Sequence, residues 1–321
     1  MKKANVVVIG GGTGLSNLLR GLKHFPLNIS AIVSVADDGG STGRLREDYD
    51  IPAPGDLRKV MVSLSKDEGL TEKLFQYRFN DGALKDHCLG NIMLAGMLDI
   101  TGSMTQATKA LSDLLNMCGE VIPVSNQSLE LVARLDNGEI VKGESLIGKS
   151  IKAEGVKIET VFYEEPASAS ARAIKAIRNA DFIIFGIGSL YTSIVPNLII
   201  DGIRKEIAKS KVEKIYICNA MNQPGETIGY AASNYINVVE SHLNSKIDTV
   251  IVNKNYEIPQ DVMQRYIDDN VGIVEIDRQN LENYNLIEKD LLKIEDGFIR
   301  HNSLKLGMAI YSYILDKSLV V

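Results

Sequence analysis

The chain has little cysteine, and none of it lies in a pattern that binds metal or builds a disulfide framework. Cys88, Cys118 and Cys218 are scattered through 321 residues without a Cys-x-x-Cys spacing. Scattered single cysteines are typical of reduced, mostly buried thiols. We therefore expect no disulfide framework, and a reducing compartment is favoured.

Long apolar runs are also missing. The first apolar segment, Val6–Ile9, is too short for the core of a secretory signal peptide. No stretch approaches the roughly 18 apolar residues that a membrane-spanning helix needs. We expect a cytoplasmic protein without a membrane span.

The chain also has fewer basic than acidic residues. The net charge is −6 and the pI is about 5.4. Proteins that bind duplex nucleic acid need clustered Lys and Arg to neutralise phosphates, so we expect no nucleic-acid partner. A local basic pocket for one small anion remains compatible with this charge. Apolar residues make up 45% of the chain and charged residues 24%, which is the balance of a globular protein with a sizeable core.

Five apolar, β-branched segments lack the alternation of a half-exposed strand, which is typical of strands buried on both faces. These strands are predicted at Val6–Ile9, Ile29–Val35, Phe182–Phe185, Lys214–Cys218 and Thr249–Val252. Between these strands, apolar residues recur at helical spacing. Helices are therefore predicted at Leu15–His24, Ala169–Asn179, Asn197–Lys209, Thr227–Leu243 and Pro259–Asp268. The alternation predicts an α/β fold with a doubly wound, mainly parallel, Rossmann-like sheet.

Two regions interrupt this alternation. A helical block is predicted at Asp56–Leu64, Thr71–Phe79, Leu89–Ile100 and Met104–Met117. Strands follow at Val121–Val124, Leu129–Leu135, Ile140–Gly143 and Val156–Tyr163, and Asn137-Gly138 is the signal of a tight hairpin. We interpret residues 120–165 as a small antiparallel β insertion in a single domain that spans residues 1–321.

The first candidate for chemistry is the glycine-rich turn after the first strand, Gly10-Gly11-Gly12-Thr13-Gly14. Glycine lets the backbone approach an anion, and the start of the following helix adds positive partial charge at the same point. The spacing departs from the Gly-x-Gly-x-x-Gly of dinucleotide folds, and the lysine of a P-loop is absent. We interpret the turn as a phosphate site; the alternative is a tight turn without a ligand.

A second candidate follows the second strand, where Asp37 and Asp38 precede a glycine-rich loop. Paired carboxylates can hold Mg²⁺ against a ligand phosphate, so Asp37 or Asp38 is the predicted metal ligand. Ser41, Thr42 and Arg44 in the loop can bind the phosphate directly. The alternative is a polar turn with solvated charges.

Three further polar residues lie at or near predicted helix starts. Asp56 is either the N-cap of its helix or a ligand contact. His87 can donate a hydrogen bond to an anion or serve a structural role. Asn91 can bind a ligand or satisfy a buried polar partner.

The turn after the strand Phe182–Phe185 repeats the arrangement of the first. Gly188-Ser189-Leu190-Tyr191-Thr192-Ser193 combines glycine, hydroxyl groups and a helix start at the carboxyl end of a strand. If the two turns are neighbours on the sheet, they flank the crevice in which such folds bind ligands. Asn219, after the strand Lys214–Cys218, can line the same cleft.

Tyr266 and Arg300 are weaker candidates for a base or phosphate contact, because the residues near them form no motif.

Six segments, in this order, resemble the YvcK/CofD family: IGGGTG, ADDGGSTGRLR, PGDLRK, HCLGNIMLAG, GSLYTSIVPNL and NQPGET. The resemblance runs from about Val6 to Arg300. The family has a CofD branch of Mg²⁺-dependent 2-phospho-L-lactate transferases that use a guanosine-linked donor. It also has a YvcK branch of regulators of cell shape and of growth on gluconeogenic carbon sources, which bind UDP-sugars. The ADDGGSTGRLR segment resembles the YvcK branch.

The resemblance implies a regulatory protein that binds a nucleotide sugar such as UDP-GlcNAc or UDP-glucose, with protein partners that the sequence does not identify. It implies phosphate contacts at Gly10–Gly14 and Gly188–Ser193 and nucleotide-sugar contacts at Tyr266 and Arg300. It also implies a hydroxyl or metal contact at Asp37 or Asp38, and a place for Asn219 in the cleft.

Other functions and assemblies stay open at this point. One alternative is a CofD-type phosphotransferase, for which Mg²⁺ is the implied cofactor. An NAD-dependent oxidoreductase is disfavoured by the glycine spacing, so NAD is not expected as a functional cofactor. A homodimer is expected only because it is the commonest assembly.

Overall fold

The computed structural model describes residues 3–66, 69–150, 155–268 and 271–319. The strands in these ranges are β1 (Asn5–Gly10), β2 (Asn28–Val33), β3 (Gly119–Pro123), β4 (Leu131–Leu135), β5 (Ile140–Lys142), β6 (Ile158–Tyr163), β7 (Phe182–Phe185), β8 (Glu213–Ile217), β9 (Thr249–Asn253), β10 (Asn285–Lys289), β11 (Leu292–Glu295) and β12 (Phe298–His301). The helices are α1 (Gly12–Leu22), α2 (Gly40–Tyr49), α3 (Pro54–Leu64), α4 (Leu70–Gln76), α5 (Leu89–Thr101), α6 (Met104–Leu114), α7 (Glu144–Ser150), α8 (Ala171–Arg178), α9 (Val195–Leu198), α10 (Asp201–Lys209), α11 (Ala232–Leu243), α12 (Gln260–Asp268) and α13 (Ser303–Leu319). A π-helical turn covers Leu190–Ile194, and a 3₁₀ turn covers Arg278–Asn280.

Seven strands form the central sheet in the order β10-β9-β8-β7-β1-β2-β3. Every neighbouring pair in it is parallel. The inner strands are buried on both faces, because consecutive residues point to opposite faces and neither Val8 nor Ile9 on β1, nor Ile183 nor Ile184 on β7, has exposed surface. The predicted doubly wound, mainly parallel α/β fold is confirmed.

The direction in which the chain builds this sheet reverses between β1 and β7. From β1 the chain passes outward to β2 and β3, and it later returns beside β1 with β7 and continues to β8, β9 and β10. At such a reversal the connections diverge, so a crevice opens at the carboxyl ends of the two central strands. Ile9 pairs with Phe185 at these ends, so the turns after β1 and β7 are neighbours.

Helix α1 packs closely against the C-terminal helix α13. A Cβ atom on Gly21 would overlap the carbonyl oxygen of Ser303, and one on Gly307 would lie 2.7 Å from the carbonyl carbon of Gly21. On the strand before α13, the carbonyl of His301 accepts a 2.7 Å hydrogen bond from Asn17 Nδ2 on α1. The chain segment around β12 is therefore fixed beside the glycine-rich turn, although nearly 290 residues separate them.

The antiparallel insertion exists but starts later than predicted. Strands β5, β4 and β6 form a three-stranded antiparallel sheet, and Gly138 in its hairpin turn has φ +86°. The segment Val121–Val124 lies largely in β3, which pairs in parallel with β2 at one edge of the central sheet. Its assignment to the insertion was wrong because a short apolar strand carries no signal of the partner with which it pairs.

Several boundaries also differ from the prediction. The Gly-Gly-Ser-Thr-Gly segment predicted as a loop contains the start of α2, and the predicted helix Asn197–Lys209 is divided between α9 and α10. The strand β10 and the antiparallel pair β11 and β12 were not predicted. The residues of β10 and β12 do not alternate, and the alternation in β11 covers only four residues. Within the described residues, no helix has the length and apolar character needed to cross a membrane.

Candidate functional site

The glycine-rich turn and the turn after β7 face each other across the crevice. The backbone turns into α1 at Gly12, whose φ of +64° favours glycine. A Cβ atom on Gly11 would lie 2.9 Å from Asp56 Oδ2 and 3.4 Å from Ser193 Cβ, and one on Gly188 would lie 3.3 Å from the Gly11 carbonyl oxygen. The first N–H groups of α1 therefore open into a narrow cleft bounded by Asp56 and Ser193.

Asp56 lies in the first turn of α3 rather than at its N-cap, which is Ala53. Its Oδ1 accepts a 2.8 Å hydrogen bond from Lys59 Nζ, and the two side chains form an ion pair. Burial opposes the ammonium charge, but the nearby carboxylate of Asp56 dominates and raises the pKa of Lys59. Asp56 thus brings one carboxylate and one lysine to the floor of the cleft.

Asp37, Asp38 and Glu144 place carboxylate oxygens within 4.8 Å of one another. Asp37 Oδ1 accepts a 3.0 Å hydrogen bond from Gly39 N, and its Oδ2 accepts one of 3.1 Å from Thr42. Asp38 Oδ1 accepts a 2.8 Å hydrogen bond from Ser145 N at the start of α7. That bond ties the antiparallel insertion to the loop after β2 and brings Glu144 into the cluster.

The crowding of carboxylates changes their acidity. Burial, followed by the charges of Asp37, Asp56 and Asp38, raises the pKa of Glu144 to about 8. Burial and the charge of Asp56 also raise the pKa of Asp37. Each carboxylate keeps unused lone pairs, and hard divalent cations prefer such oxygen ligands. The donor set of Asp37, Asp38 and Glu144 therefore fits Mg²⁺, in line with the metal ligand predicted at Asp37 or Asp38.

Behind Asp37 lies a buried hydrogen-bond network formed by Ser41, Thr42, His87, Asn91 and Arg58. Arg58 Nε donates 2.9 Å to Asn91 Oδ1, so the Asn91 amide must donate from Nδ2 toward Ser41 Oγ (3.3 Å) and Thr42 Oγ1 (3.4 Å). Ser41 Oγ also accepts from Cys88 N, which leaves its own hydrogen for His87 Nδ1 at 3.4 Å. These residues bond one another, and through Thr42 they orient Asp37; their ligand contacts stay predictions.

The π-helical turn after β7 is held by a buried acid that the sequence analysis did not select. Glu226 accepts hydrogen bonds from Tyr191 N (3.0 Å) and Thr192 Oγ1 (2.9 Å), and burial raises its pKa. Leu190 and the ring of Tyr191 are buried in the core. Leu190, Tyr191 and Thr192 therefore have a structural role in holding this turn, and their predicted ligand role stays a prediction.

Of that turn, Gly188, Ser189 and Ser193 remain beside the cleft. Gly188 and Ser193 border Gly11, as described above. The hydroxyl of Ser189 accepts a hydrogen bond from Gln223, which anchors the loop after β8. The Gly188 carbonyl accepts a 2.9 Å hydrogen bond from Asn219 Nδ2, which places Asn219 beside this turn.

On the other side of the glycine-rich turn lies a cavity of about 160 Å³. Its lining comes from the start of α1, the ends of β7 and β8, and β12: Thr13, Gly14, Asn17, Ile187, Asn219, Ala220, Met221, Ile299, Arg300 and His301. Arg300 is exposed at this cavity, and its guanidinium lies 5.6 Å from the ring centre of Phe298. The structure therefore brings Arg300 next to Thr13 and Asn219, as a shared ligand site requires.

Tyr266 and Arg44 are placed differently. The hydroxyl of Tyr266 accepts a 2.8 Å hydrogen bond from Ile299 N, so it supports β12 and the backbone next to Arg300. Arg44 is exposed on α2 and has no hydrogen bond or ion pair with another residue in the described ranges. Neither position contradicts a ligand contact. The support that Tyr266 gives to β12 could not be read from the sequence around it.

Together these features define a class of protein, an α/β protein with a glycine-lined, carboxylate-rich cleft at the switch point of a parallel sheet. The family model of 2-phospho-L-lactate transferase CofD matches residues 6–292. The chain belongs to this family, which confirms the resemblance found in its motifs.

Characterised relatives match along nearly their whole length. The gluconeogenesis factor of Halalkalibacterium halodurans is 46% identical, over 97% of this chain and 96% of its own. That of Bacillus subtilis is 44% identical, over 98% of this chain and 99% of its own. A crystal structure of a Bacillus halodurans protein superposes with a TM-score of 0.91 at 45% identity, covering 97% of this chain and 100% of the other.

Proposed function

We propose that the cleft binds a nucleotide sugar of the UDP-GlcNAc or UDP-glucose type. The observation that carries this proposal is the convergence of three features at the switch point: the free N–H groups of α1, the hydroxyl of Ser193 and the exposed Arg300. N–H groups at a helix start bind phosphate oxygens, and a guanidinium binds them as a paired donor.

The positions of the neighbouring groups suggest how such a ligand lies. The diphosphate spans Gly11–Gly14, with one end toward the cavity of Arg300 and the other toward Asp37, Asp38 and Glu144. Carboxylates suit sugar hydroxyls, either directly or through a divalent cation. The sugar is therefore placed at the acidic end and the nucleoside at the Arg300 end.

We infer further that the protein is a regulator, acting in cell shape and in growth on gluconeogenic carbon sources. The relatives named gluconeogenesis factor support the link to gluconeogenic growth, and the resemblance to the YvcK branch is the support for a role in cell shape. The sequence analysis identified no nucleophile among the residues placed at the cleft. This is compatible with a site that binds its ligand without reacting with it. A cytoplasmic location fits the expectation drawn from the sequence.

Titration calorimetry with UDP-GlcNAc tests the proposal directly. The wild-type protein should bind, and Arg300→Ala should weaken binding by about tenfold or more, because a hydrogen bond from a charged donor is lost. Lys293→Ala is the matched control, since Lys293 pairs with Arg300 across the same β hairpin. No heat at millimolar ligand with the wild-type protein contradicts the proposal.

A CofD-type phosphotransferase is the second candidate, favoured by the cluster of Asp37, Asp38 and Glu144. A divalent cation held there would offset charge on the phosphates during transfer. An acceptor hydroxyl can attack the donor phosphorus directly, so the protein's own residues would only bind and orient the two substrates. Incubation with a donor in which phospholactate is joined to guanosine monophosphate, a deazaflavin acceptor and Mg²⁺ should then form the phosphodiester of the acceptor and release GMP; the absence of GMP release rules this activity out.

A further inference from the structure

Helix α7 of the antiparallel insertion connects the two walls of the crevice. At its start, Ser145 N donates a 2.8 Å hydrogen bond to Asp38 Oδ1 on the loop after β2. Toward its other end, the Gly148 carbonyl oxygen would lie 2.5 Å from a Cβ atom on Gly225, in the loop after β8. Strands β1 and β7 lie between β2 and β8 in the sheet. Helix α7 therefore runs across the carboxyl ends of the two strands that bound the crevice.

Little burial holds α7 in this position. Among its side chains that the structure describes, Ile147 alone is buried, and the next residue toward the start of the helix, Leu146, is 50% exposed. Segments with few buried apolar contacts open at a much smaller free-energy cost than the strands of a core. Opening of α7 would uncover the crevice and leave the central sheet folded.

The closed position of α7 carries a charged side chain into the crevice. Glu144, the first residue of α7, places a carboxylate oxygen within 4.8 Å of oxygens of Asp37 and Asp38. Like charges at this separation repel, so the empty closed form has an electrostatic cost. A ligand hydroxyl that donates to Glu144 makes a contact that exists only in the closed form. Such a contact shifts the equilibrium of α7 toward closure.

We infer that α7 is a strap that opens to admit the ligand and closes over it, so that occupancy of the crevice changes the position of a surface helix. A regulator needs an element of this kind, because a partner protein detects a bound ligand through a change at the surface. Leu146 lies on the exposed side of α7 and moves with it. The opening of α7 goes beyond the proposed function, and its coupling to the ligand rests on that function.

Hydrogen exchange followed by mass spectrometry tests the strap on the whole chain. The amides of Ser145, Leu146 and Ile147 are hydrogen-bonded in the closed position. Without ligand they should exchange about tenfold or more faster than the amides of β7, because opening of α7 does not require unfolding of the sheet. Saturation with UDP-GlcNAc, checked by calorimetry, should slow their exchange by about tenfold or more.

Two glycines of nearly equal backbone conformation separate the contact with α7 from backbone strain. Gly225 has φ +77° and Gly229 has φ +76°, and both lie in the loop after β8. A Cβ atom on Gly229 has no neighbour within 4 Å, whereas one on Gly225 overlaps α7. Gly225→Ala should therefore speed exchange in α7 and dissociation of UDP-GlcNAc by about tenfold each, and Gly229→Ala should change neither.

A second pair of variants does not involve a glycine. Ile147→Ala removes the buried side chain of α7 and should speed both exchange in α7 and dissociation of UDP-GlcNAc. Leu146→Ala alters its exposed neighbour and should leave both rates near those of the wild-type protein.

The outcomes separate the strap from the proposed function. Equal exchange in α7 with and without bound UDP-GlcNAc overturns the inference and leaves nucleotide-sugar binding intact. Wild-type rates of exchange and dissociation in both Gly225→Ala and Ile147→Ala overturn it as well. Failure of the wild-type protein to bind UDP-GlcNAc overturns the proposed function and, with it, the coupling of α7 to the ligand.

Discussion

The buried imidazole of His301 makes the stability of the protein depend on pH in a defined direction. Its pKa is lowered to about 4, below the ordinary value of 6.5. As the pH falls below 6.5 the unfolded chain takes up a proton at this residue, whereas the folded protein does so only near pH 4. The free energy of unfolding contributed by His301 is therefore complete above pH 6.5 and is lost as the pH falls toward 4.

We expect His301→Gln to remove this contribution. The difference in unfolding free energy between the wild-type protein and the variant should change by on the order of 3 kcal/mol between about pH 7 and pH 4. Urea denaturation across this range measures it, and other titrating groups cancel in the difference. A difference that stays constant with pH would show that His301 is not held neutral.

The buried Arg58–Asn91 contact predicts a second change at the residue scale. Asn91→Leu leaves Arg58 Nε without its acceptor in a site that is 6% exposed. We expect a loss of about 2–3 kcal/mol of stability, because a buried hydrogen bond to a charged group is broken. Denaturant unfolding provides the measurement, and Asn283→Leu, at an exposed position, should change stability by less than about 0.5 kcal/mol.

The sequence could name Asn91 but could not decide between its two roles. The structure decides because Arg58, which is buried, needs an acceptor and takes Asn91 Oδ1. Glu144 could not be found at all, since it joins Asp37 and Asp38 only after the insertion folds back onto the loop after β2. Residue chemistry was thus visible in local motifs, while partners distant in sequence were not.

At the scale of elements, the close packing of α1 against α13 depends on Gly21 having no side chain. We expect Gly21→Ala to destabilise the protein by about 3 kcal/mol or more, because its Cβ would overlap the Ser303 carbonyl oxygen. Thermal and denaturant unfolding measure the change. A loss below about 1 kcal/mol would mean that α13 can shift at little cost.

Gly96 supplies the matched control for this substitution. It lies within α5, is exposed, and a Cβ atom there would have no neighbour within 4 Å. Gly96→Ala should therefore stabilise the protein by about 0.5–1 kcal/mol through helix propensity and a less flexible unfolded chain.

Strands were predictable where burial on both faces requires a continuous run of apolar residues in the sequence. The five inner strands of the central sheet, β1, β2, β7, β8 and β9, were visible for this reason, and helical spacing showed the helices of the block after Gly55. Pairing was not visible: β3 was assigned to the insertion although it extends the central sheet, and the pair β11 and β12 was missed because each strand has only four residues. Hairpins on the surface are held by contacts that form after the core. The residues of such a hairpin need not show a sequence pattern that predicts these contacts.

At the scale of the molecule, the cleft has an excess of negative charge. Asp37, Asp38, Asp56 and Glu144 surround the place proposed for a diphosphate, and Lys59 pairs with one of them. Helix N–H groups contribute only partial charge. A divalent cation would reverse the local repulsion between carboxylates and phosphates.

We therefore expect Mg²⁺ to strengthen binding of UDP-GlcNAc by about tenfold or more compared with EDTA. Asp37→Asn should remove most of this difference, whereas Asp48→Asn, at an exposed position on α2, should retain it. Titration calorimetry in both buffers measures the effect. Equal affinities with Mg²⁺ and with EDTA would exclude a cation role for the acidic cluster.

The crystal structure of the protein soaked or grown with UDP-GlcNAc tests the central claim most directly, because it locates the ligand. The account predicts the diphosphate over Gly11–Gly14, the nucleoside toward the cavity beside Arg300, and the sugar toward Asp37 and Glu144. A nucleotide bound outside the crevice between β1 and β7, or bound with its base at the carboxylates, would contradict it.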